Sequence, residues 1–325
     1  MKRLSSILCL LCLLLTGCVF ISLPKEVPLE EKTLGGRGAD KILVIDLSGI
    51  ITEDGGRGRW LFGQKPGRLA LLKEELDLAA KDTDIKAVIL RINSPGGAVT
   101  VCDIMNHEMA LFKKKRNLPV IAEFMDIAAS GGYYIAAASD KIVAHPTTVT
   151  GSIGVIAYNL NASGLLDKIG ISDQTIKSGN KKDIGSPLRP MTEEDRRIMQ
   201  SIIDEMYERF LTVITGGRPE LAKLDRAELK KIADGRIYTA EQALKLKLID
   251  RIGYMDDAIE LAKEAAGVKE ARVIAYSSPR AYKNNIYSMA ETLDAGAAPQ
   301  VNLVNIDGSL LSERLGMRFM YLWAP

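Results

Sequence analysis

From Lys41 onward the chain alternates short apolar runs with longer amphipathic stretches, and that rhythm is its tightest constraint on fold. Lys41 to Leu47 reads as a strand, Leu69 to Ala80 as a helix and Lys86 to Ile92 as a second strand. The turn Asn93-Ser94-Pro95-Gly96-Gly97 leads to a helix ending near Arg116, then a strand over Pro119 to Phe124. A helix opening at Ser130 follows, then a strand over Asp140 to His145, a glycine turn at Gly151 to Gly154 and a short helix near Leu160 to Ile169. Parallel neighbours need a crossover, and helices supply it, so the pattern predicts an α/β domain with parallel strands. From Met191 the chain reads as helical. Thr192-Glu193-Glu194-Asp195 resembles a capping box, Ile198, Ile202, Met206 and Phe210 recur at every fourth position, and Thr239 to Gln242 opens another helix. Residues 277–325 show no clear period and read as a tail of undetermined structure.

The N-terminus has a different character. Residues 1–17 combine Lys2 and Arg3 with the apolar run Ile7 to Leu15, as a secretory signal does. The run is short against the ~20 residues of a membrane span. It ends in Leu15-Thr16-Gly17-Cys18, which resembles the lipobox of bacterial lipoproteins and makes Cys18 the expected lipidated first residue. An uncleaved anchor reaching Leu23 is the alternative. Residues 18–40, charged and glycine-containing without apolar period, read as a tether to a domain spanning 41–276. The expected location is the cell envelope, with the domain outside the cytoplasm and held to membrane lipid by the N-terminus. Cys9 and Cys12 fall inside the signal, so Cys102 is the one thiol left, and stability must come from a core rather than disulfides. Removing Lys2 and Arg3 balances the 43 basic residues against the 41 acidic ones, which argues against a nucleic-acid partner.

The chemistry-bearing residues sit in the glycine turns. Ser130 lies in Ala128-Ala129-Ser130-Gly131-Gly132-Tyr133-Tyr134, where a helix start leaves N–H groups unpaired. The ordinary use of a serine there is as an N-cap. Gly131 and Gly132 favour a nucleophile instead, because glycine weakens a helix and is placed where something must come close. The Ser94–Gly97 turn can aim backbone N–H groups at developing negative charge. With two histidines in the chain, His107 and His145, and neither in a motif with a serine, a lysine is the candidate base. Lys177, Lys181 and Lys182 all qualify on chemistry alone, provided no carboxylate holds the ammonium. Asp183 is therefore a caution for Lys182. Ser152 could orient a lysine amine. No residue pattern calls for a metal or cofactor.

Taken together, Asn93 to Gly97, Ala128 to Tyr134, Thr150-Gly151-Ser152-Ile153-Gly154-Val155, Ile176-Lys177-Ser178-Gly179 through Lys182-Asp183, and Asp234-Gly235-Arg236-Ile237-Tyr238-Thr239-Ala240 resemble the signal peptide peptidase A family of serine peptidases, over about Lys41 to Tyr276. The resemblance implies a ClpP/crotonase-like fold of repeated ββα units with a helical C-terminal part. It assigns nucleophile to Ser130, general base to Lys182, lysine-orienting hydroxyl to Ser152 and oxyanion donors to the N–H groups of Gly97 and Gly131. It also implies a short form with one catalytic unit, assembled as a homo-oligomeric ring, that degrades peptides such as cleaved signal peptides. The lipobox-like ending departs from the plain anchor of many members.

An extended substrate is expected to add a strand beside Pro119 to Phe124. A crotonase-like acyl-CoA enzyme and a non-catalytic scaffold lipoprotein are the rival expectations. Lys182 lies 52 residues beyond Ser130, far enough to project into a neighbouring protomer and share its site.

Overall fold

A computed structural model of the chain describes residues 28–53, 66–279, 281–288 and 318–323. The strands are β1 (Glu30–Gly36), β2 (Lys41–Ser48), β3 (Ile85–Ser94), β4 (Gly96–Ala98), β5 (Val120–Ala129), β6 (Lys141–Ala144), β7 (Val149–Gly151), β8 (Ile156–Ala157), β9 (Ile237–Thr239), β10 (Arg251–Ile252), β11 (Arg272–Ser277) and β12 (Phe319–Leu322). The helices are α1 (Arg68–Lys81), α2 (Val99–Arg116), α3 (Gly131–Ala136), α4 (Ser163–Lys168), α5 (Glu193–Gly217), α6 (Pro219–Ala222), α7 (Arg226–Ile232), α8 (Ala240–Lys245) and α9 (Met255–Ala266).

The main sheet runs β1-β11-β2-β3-β5-β6-β10, with β7 beside the end of β5 and β9 beside β7. From β11 to β10 the neighbours are parallel, and β1 closes one edge antiparallel to β11. Helices cover both faces, so the central strands are apolar on both sides. Leu43, Ile45 and Leu47 of β2 face the cluster that includes α1 and α2, whereas Ile42 and Val44 face the one built on α9. β3 divides in the same way, Val88, Leu90 and Ile92 against Ala87 and Ile89. The α/β reading of the alternating elements is thus what the chain adopts. Both sequence-legible capping boxes form, at Thr192/Asp195 and Thr239/Gln242.

Several expectations change. Residues 30–36, read as part of a tether, form β1. Their charges are accommodated because an edge strand leaves side chains exposed, and Lys32–Glu30 and Lys41–Glu31 pair there at 3.1 and 2.9 Å. The segment Pro119 to Phe124 offers no edge to a substrate: residues 120–124 of β5 are flanked by β3 and β6. On α5 the four-residue apolar row is buried only at Phe210; Ile198 is exposed and the contacts fall to Met199, Leu211 and Ile214.

The tail contains ordered pieces. Lys283 and Arg91 both engage Asp46, and Arg91 also donates to the carbonyls of Ile286 and Ser288, which pins 281–288 onto the sheet face shared with α9. β12 pairs antiparallel with β4 on one side and β8 on the other, making a separate three-stranded sheet. Among the described residues no helix is long and apolar enough to cross a membrane. The signal at 1–17 and Cys18 lie outside the described residues.

Candidate active site

Where β5 ends, the chain turns sharply into α3, and Ser130 occupies the turn with φ 51° and ψ −115°. Its N–H donates to the Gly151 carbonyl at 2.8 Å and its carbonyl accepts from the Tyr134 N–H at 2.9 Å, so the backbone is fixed from both sides. The side chain does not cap the helix. It is 1% exposed, and its Oγ has no hydrogen-bond partner among the described residues. A buried hydroxyl left unpaired is uncommon and wants an explanation.

The two glycine turns close against each other here. A Cβ on Gly131 would stand 2.4 Å from Cys102 Sγ and 3.0 Å from the Tyr321 carbonyl oxygen. One on Gly96, at φ 103°, would stand 1.9 Å from that same oxygen and 2.6 Å from the Gly131 nitrogen. Gly97 is held against Ile51, since Ile51 N–H donates to Gly96 at 2.9 Å and Ala98 N–H to Ile51 at 2.8 Å. Ser94, which the sequence reading did not weigh, pins the turn by donating to the Gly49 carbonyl at 2.6 Å and accepting from the Gly96 N–H at 3.1 Å.

The cleft beside Ser130 is filled by the chain's own β12, with Tyr321 facing Gly97. Trp323 N–H donates to the Pro95 carbonyl at 2.9 Å. Two residues along, the alternation of an antiparallel ladder makes Tyr321 and Gly97 the next position at which N–H···O bonds are exchanged. The Tyr321 carbonyl therefore lies against the Gly96–Gly97 turn and close to the Gly131 backbone. Its ring is wholly buried, stacked on Tyr134 at 4.9 Å and tilted against Phe210 at 4.6 Å. Tyr134 was visible in its motif and Phe210 in its periodic row, but nothing in sequence joined either to residue 321.

Ser152 has φ 49°, is buried, and donates its N–H to Arg236 at 2.7 Å. Since Ala129 pairs with Gly151, Ser130 and Ser152 leave the ladder side by side. Lys182 is elsewhere. It is exposed, on an arm between α4 and α5, and makes no side-chain hydrogen bond or ion pair among the described residues, so within one chain it does not touch Ser130. Its two rivals are occupied: Lys177 is on Asp183 at 2.5 Å, and Lys181 on Glu194 at 2.8 Å and Asp195 at 2.9 Å. Glu194 first and Asp195 next hold the Lys181 ammonium above its ordinary range. Asp183 is claimed by Arg189 and Lys177, which hold its carboxyl far below the usual range, so it is not Lys182's partner. His107 is exposed on α2, and His145 is taken up by Thr147 at 2.8 Å and the Tyr254 ring at 4.9 Å.

Comparison with known proteins decides the family. The model of peptidase family S49 matches residues 112–269, which contain Ser130, Ser152 and the Lys182 arm. A protein of Enterococcus faecium named for signal peptide peptidase SppA is 39% identical over 249 residues, covering 77% of this chain and 70% of its own. A Methanocaldococcus jannaschii protein named as a protease is 34% identical, covering 85% of this chain and 87% of its own. The chain belongs to peptidase family S49. Protease 4 of Salmonella typhi, 34% identical over 59% of this chain and 30% of its own, is a longer relative. This S49 member is a serine endopeptidase, which sets aside the acyl-CoA and non-catalytic readings.

Proposed function

We propose that the chain is a membrane-tethered Ser/Lys peptidase that degrades membrane-derived peptides, cleaved signal peptides foremost. The observation that carries the dyad is the buried Ser130 Oγ, without a partner among the described residues and beside two glycine turns that close on the Tyr321 carbonyl. A neutral amine would complete it. Lys182 is the lysine of its segment free to serve, because carboxylates hold the ammonium groups of the other two in ion pairs.

In this mechanism a peptide lies between β4 and β8, in the place of β12. Lys182 takes the Ser130 proton as Oγ attacks the carbonyl. The N–H groups of Gly97 and Gly131 hold the oxyanion, and Ser152 orients the amine. The protonated lysine then gives its proton to the leaving amine. Water, deprotonated by the same lysine, releases the acyl group and restores Ser130. The signal-like residues 1–17 with Cys18 support tethering by lipid, and a tethered site would meet peptides left in the membrane.

Ser130→Ala and Lys182→Ala are each expected to abolish hydrolysis of a quenched fluorescent peptide, with circular dichroism unchanged. Lys177→Ala and Lys181→Ala should keep most activity. An active Lys182→Ala beside a dead His107→Ala or His145→Ala would replace the dyad with a histidine mechanism.

A further inference from the structure

Resting on the Ser/Lys reading, we infer that Arg189 is a positioning residue for the base: its guanidinium, anchored on α5, holds the Asp183 carboxylate away from the Lys182 amine. Lys182 sits in a run of turns, its N–H on the Gly179 carbonyl at 3.1 Å and the Ile184 N–H on that of Lys181 at 3.1 Å. Asp183 is the next residue along. Arg189 Nη2 donates to Asp183 Oδ1 at 2.9 Å and Nε to Asp183 Oδ2 at 3.0 Å, a two-pronged grip on one carboxylate. The remaining prong, Nη1, donates to Asp195 Oδ2 at 2.6 Å. Asp195 is buried and accepts from the Thr192 N–H at 3.1 Å, so the anchor is part of the α5 cap. Lys181 reaches Asp195 Oδ1 independently at 2.9 Å, and the turn stays tied to α5 without Arg189.

Charge is what makes this grip matter to a base. The charged groups of the turn and of the helix start are Lys177, Lys181, Asp183 and Arg189, then Glu193, Glu194 and Asp195. Six of them pair in alternation: Lys177 with Asp183, Asp183 with Arg189, Arg189 with Asp195, Asp195 with Lys181, and Lys181 with Glu194. Lys182 is left out of that chain, with no ion pair among the described residues. A carboxylate beside an ammonium favours the protonated form, and a protonated amine accepts no proton from a serine. Adjacent in sequence, Asp183 is placed to do this unless its oxygens are engaged elsewhere. Lys177 engages Oδ2 alone, at 2.5 Å, so its loss leaves the carboxylate in the Arg189 fork. Loss of Arg189 uncovers Oδ1. Lysine at position 189 would offer one ammonium in place of the fork and could not hold both carboxylates in this way.

The test compares full-length wild type with Arg189→Gln, Lys177→Ala and Arg189→Gln/Asp183→Asn, with circular dichroism confirming the fold. Arg189→Lys replaces Arg189→Gln if the latter does not fold. The first readout is kcat/KM against pH. In Arg189→Gln the acid limb should move up by about half to one pH unit, about a threefold to tenfold loss below the midpoint, with the high-pH plateau kept. Adding Asp183→Asn should bring the limb back, because the two opposite charges are then removed together. Lys177→Ala should leave it in place. The second readout needs no turnover: acetylation of Lys182 by limiting acetic anhydride at pH 8, in Ser130→Ala backgrounds, read by peptide mass spectrometry. Arg189→Gln should slow it about threefold to tenfold, and Asp183→Asn should restore it. That acetylation pattern beside an unmoved limb of hydrolysis would uphold the role of Arg189 and remove Lys182 as the base. Unchanged acetylation in Arg189→Gln, or an equal limb shift in Lys177→Ala, would overturn the role and leave the dyad standing on the Lys182→Ala result.

Discussion

A serine at φ 51°, ψ −115° stands where a side chain is costly, and only its surroundings hold it there. Such a residue stores about 1–3 kcal/mol of strain. Glycine adopts positive φ freely, so Ser130→Gly should relieve part of it, whereas Ser130→Ala keeps the Cβ and the strain. Both variants are expected to be inactive, but the glycine protein should be about 1 kcal/mol more stable than the alanine one by urea denaturation. Equal stabilities would mean the turn is unstrained. The same residue marks how far the sequence could be read. A serine before two glycines could have been a helix cap, and only the idle side chain removes that use. The three lysines of the 177–182 segment were indistinguishable, because what separates them is which carboxylates fold back on them. Tyr321 left no signal at all, since its meaning depends on a partner more than two hundred residues earlier.

At the scale of elements, the central strands were legible because their apolar runs fit a sheet covered on both sides. Neighbours in the sheet were not, and this is why β5 looked available to a substrate. β1 and β12 escaped for a related reason: each is stabilised by remote pairing, β1 with β11 and β12 with β4 and β8, rather than by its own periodicity. One polar row crosses the core. Asp46, Arg91 and Glu123 stand in register on β2, β3 and β5. Burial drives the Asp46 carboxyl up, but Arg91 and Lys283 outweigh it and hold it below the usual range. Glu123 has only the weaker pull of the Arg91 charge, and neither of its oxygens has a hydrogen-bond partner among the described residues. Burial first, and the charge of Asp257 next, push it up to about 9 from 4.5. Between those values the unfolded chain loses this proton while the folded one keeps it, so stability falls as pH rises through the window. Glu123→Gln removes the term. Its advantage in thermal stability over wild type should be small near pH 5 and grow toward pH 8.5, by about 1–3 kcal/mol once the large shift is discounted for relaxation around a buried group. A constant difference across that range would show the carboxyl already ionised.

At the scale of the whole molecule, the described residues leave one segment uncovered. The arm from β8 to α5 leaves α4 without a buried residue and exposes Leu160, Leu165, Ile169, Ile171 and, at 99%, Ile176. Exposed apolar residues gathered on one segment mark an interaction surface. Lys182, without a side-chain partner among the described residues, sits on this arm, and Ser130 sits in a cleft that no described lysine of the same chain reaches. A second copy of the chain fits both needs: the arm's apolar side would pack on a neighbour and carry Lys182 to that neighbour's Ser130. Mixing two inactive proteins tests this. When Ser130→Ala and Lys182→Ala subunits are unfolded together and reassembled, some boundaries join an intact serine to an intact lysine, and activity should return to at most about a quarter of wild type for random neighbours in a ring. Sites contained in one chain could never recover, because every chain lacks one member of the pair. Ile176→Asp in both partners should lower assembly, read by light scattering, and the recovered activity together. Mixed assemblies that demonstrably exchange subunits yet stay inactive would return Lys182 to its own chain, and a movement of the arm toward Ser130 would then have to supply the base.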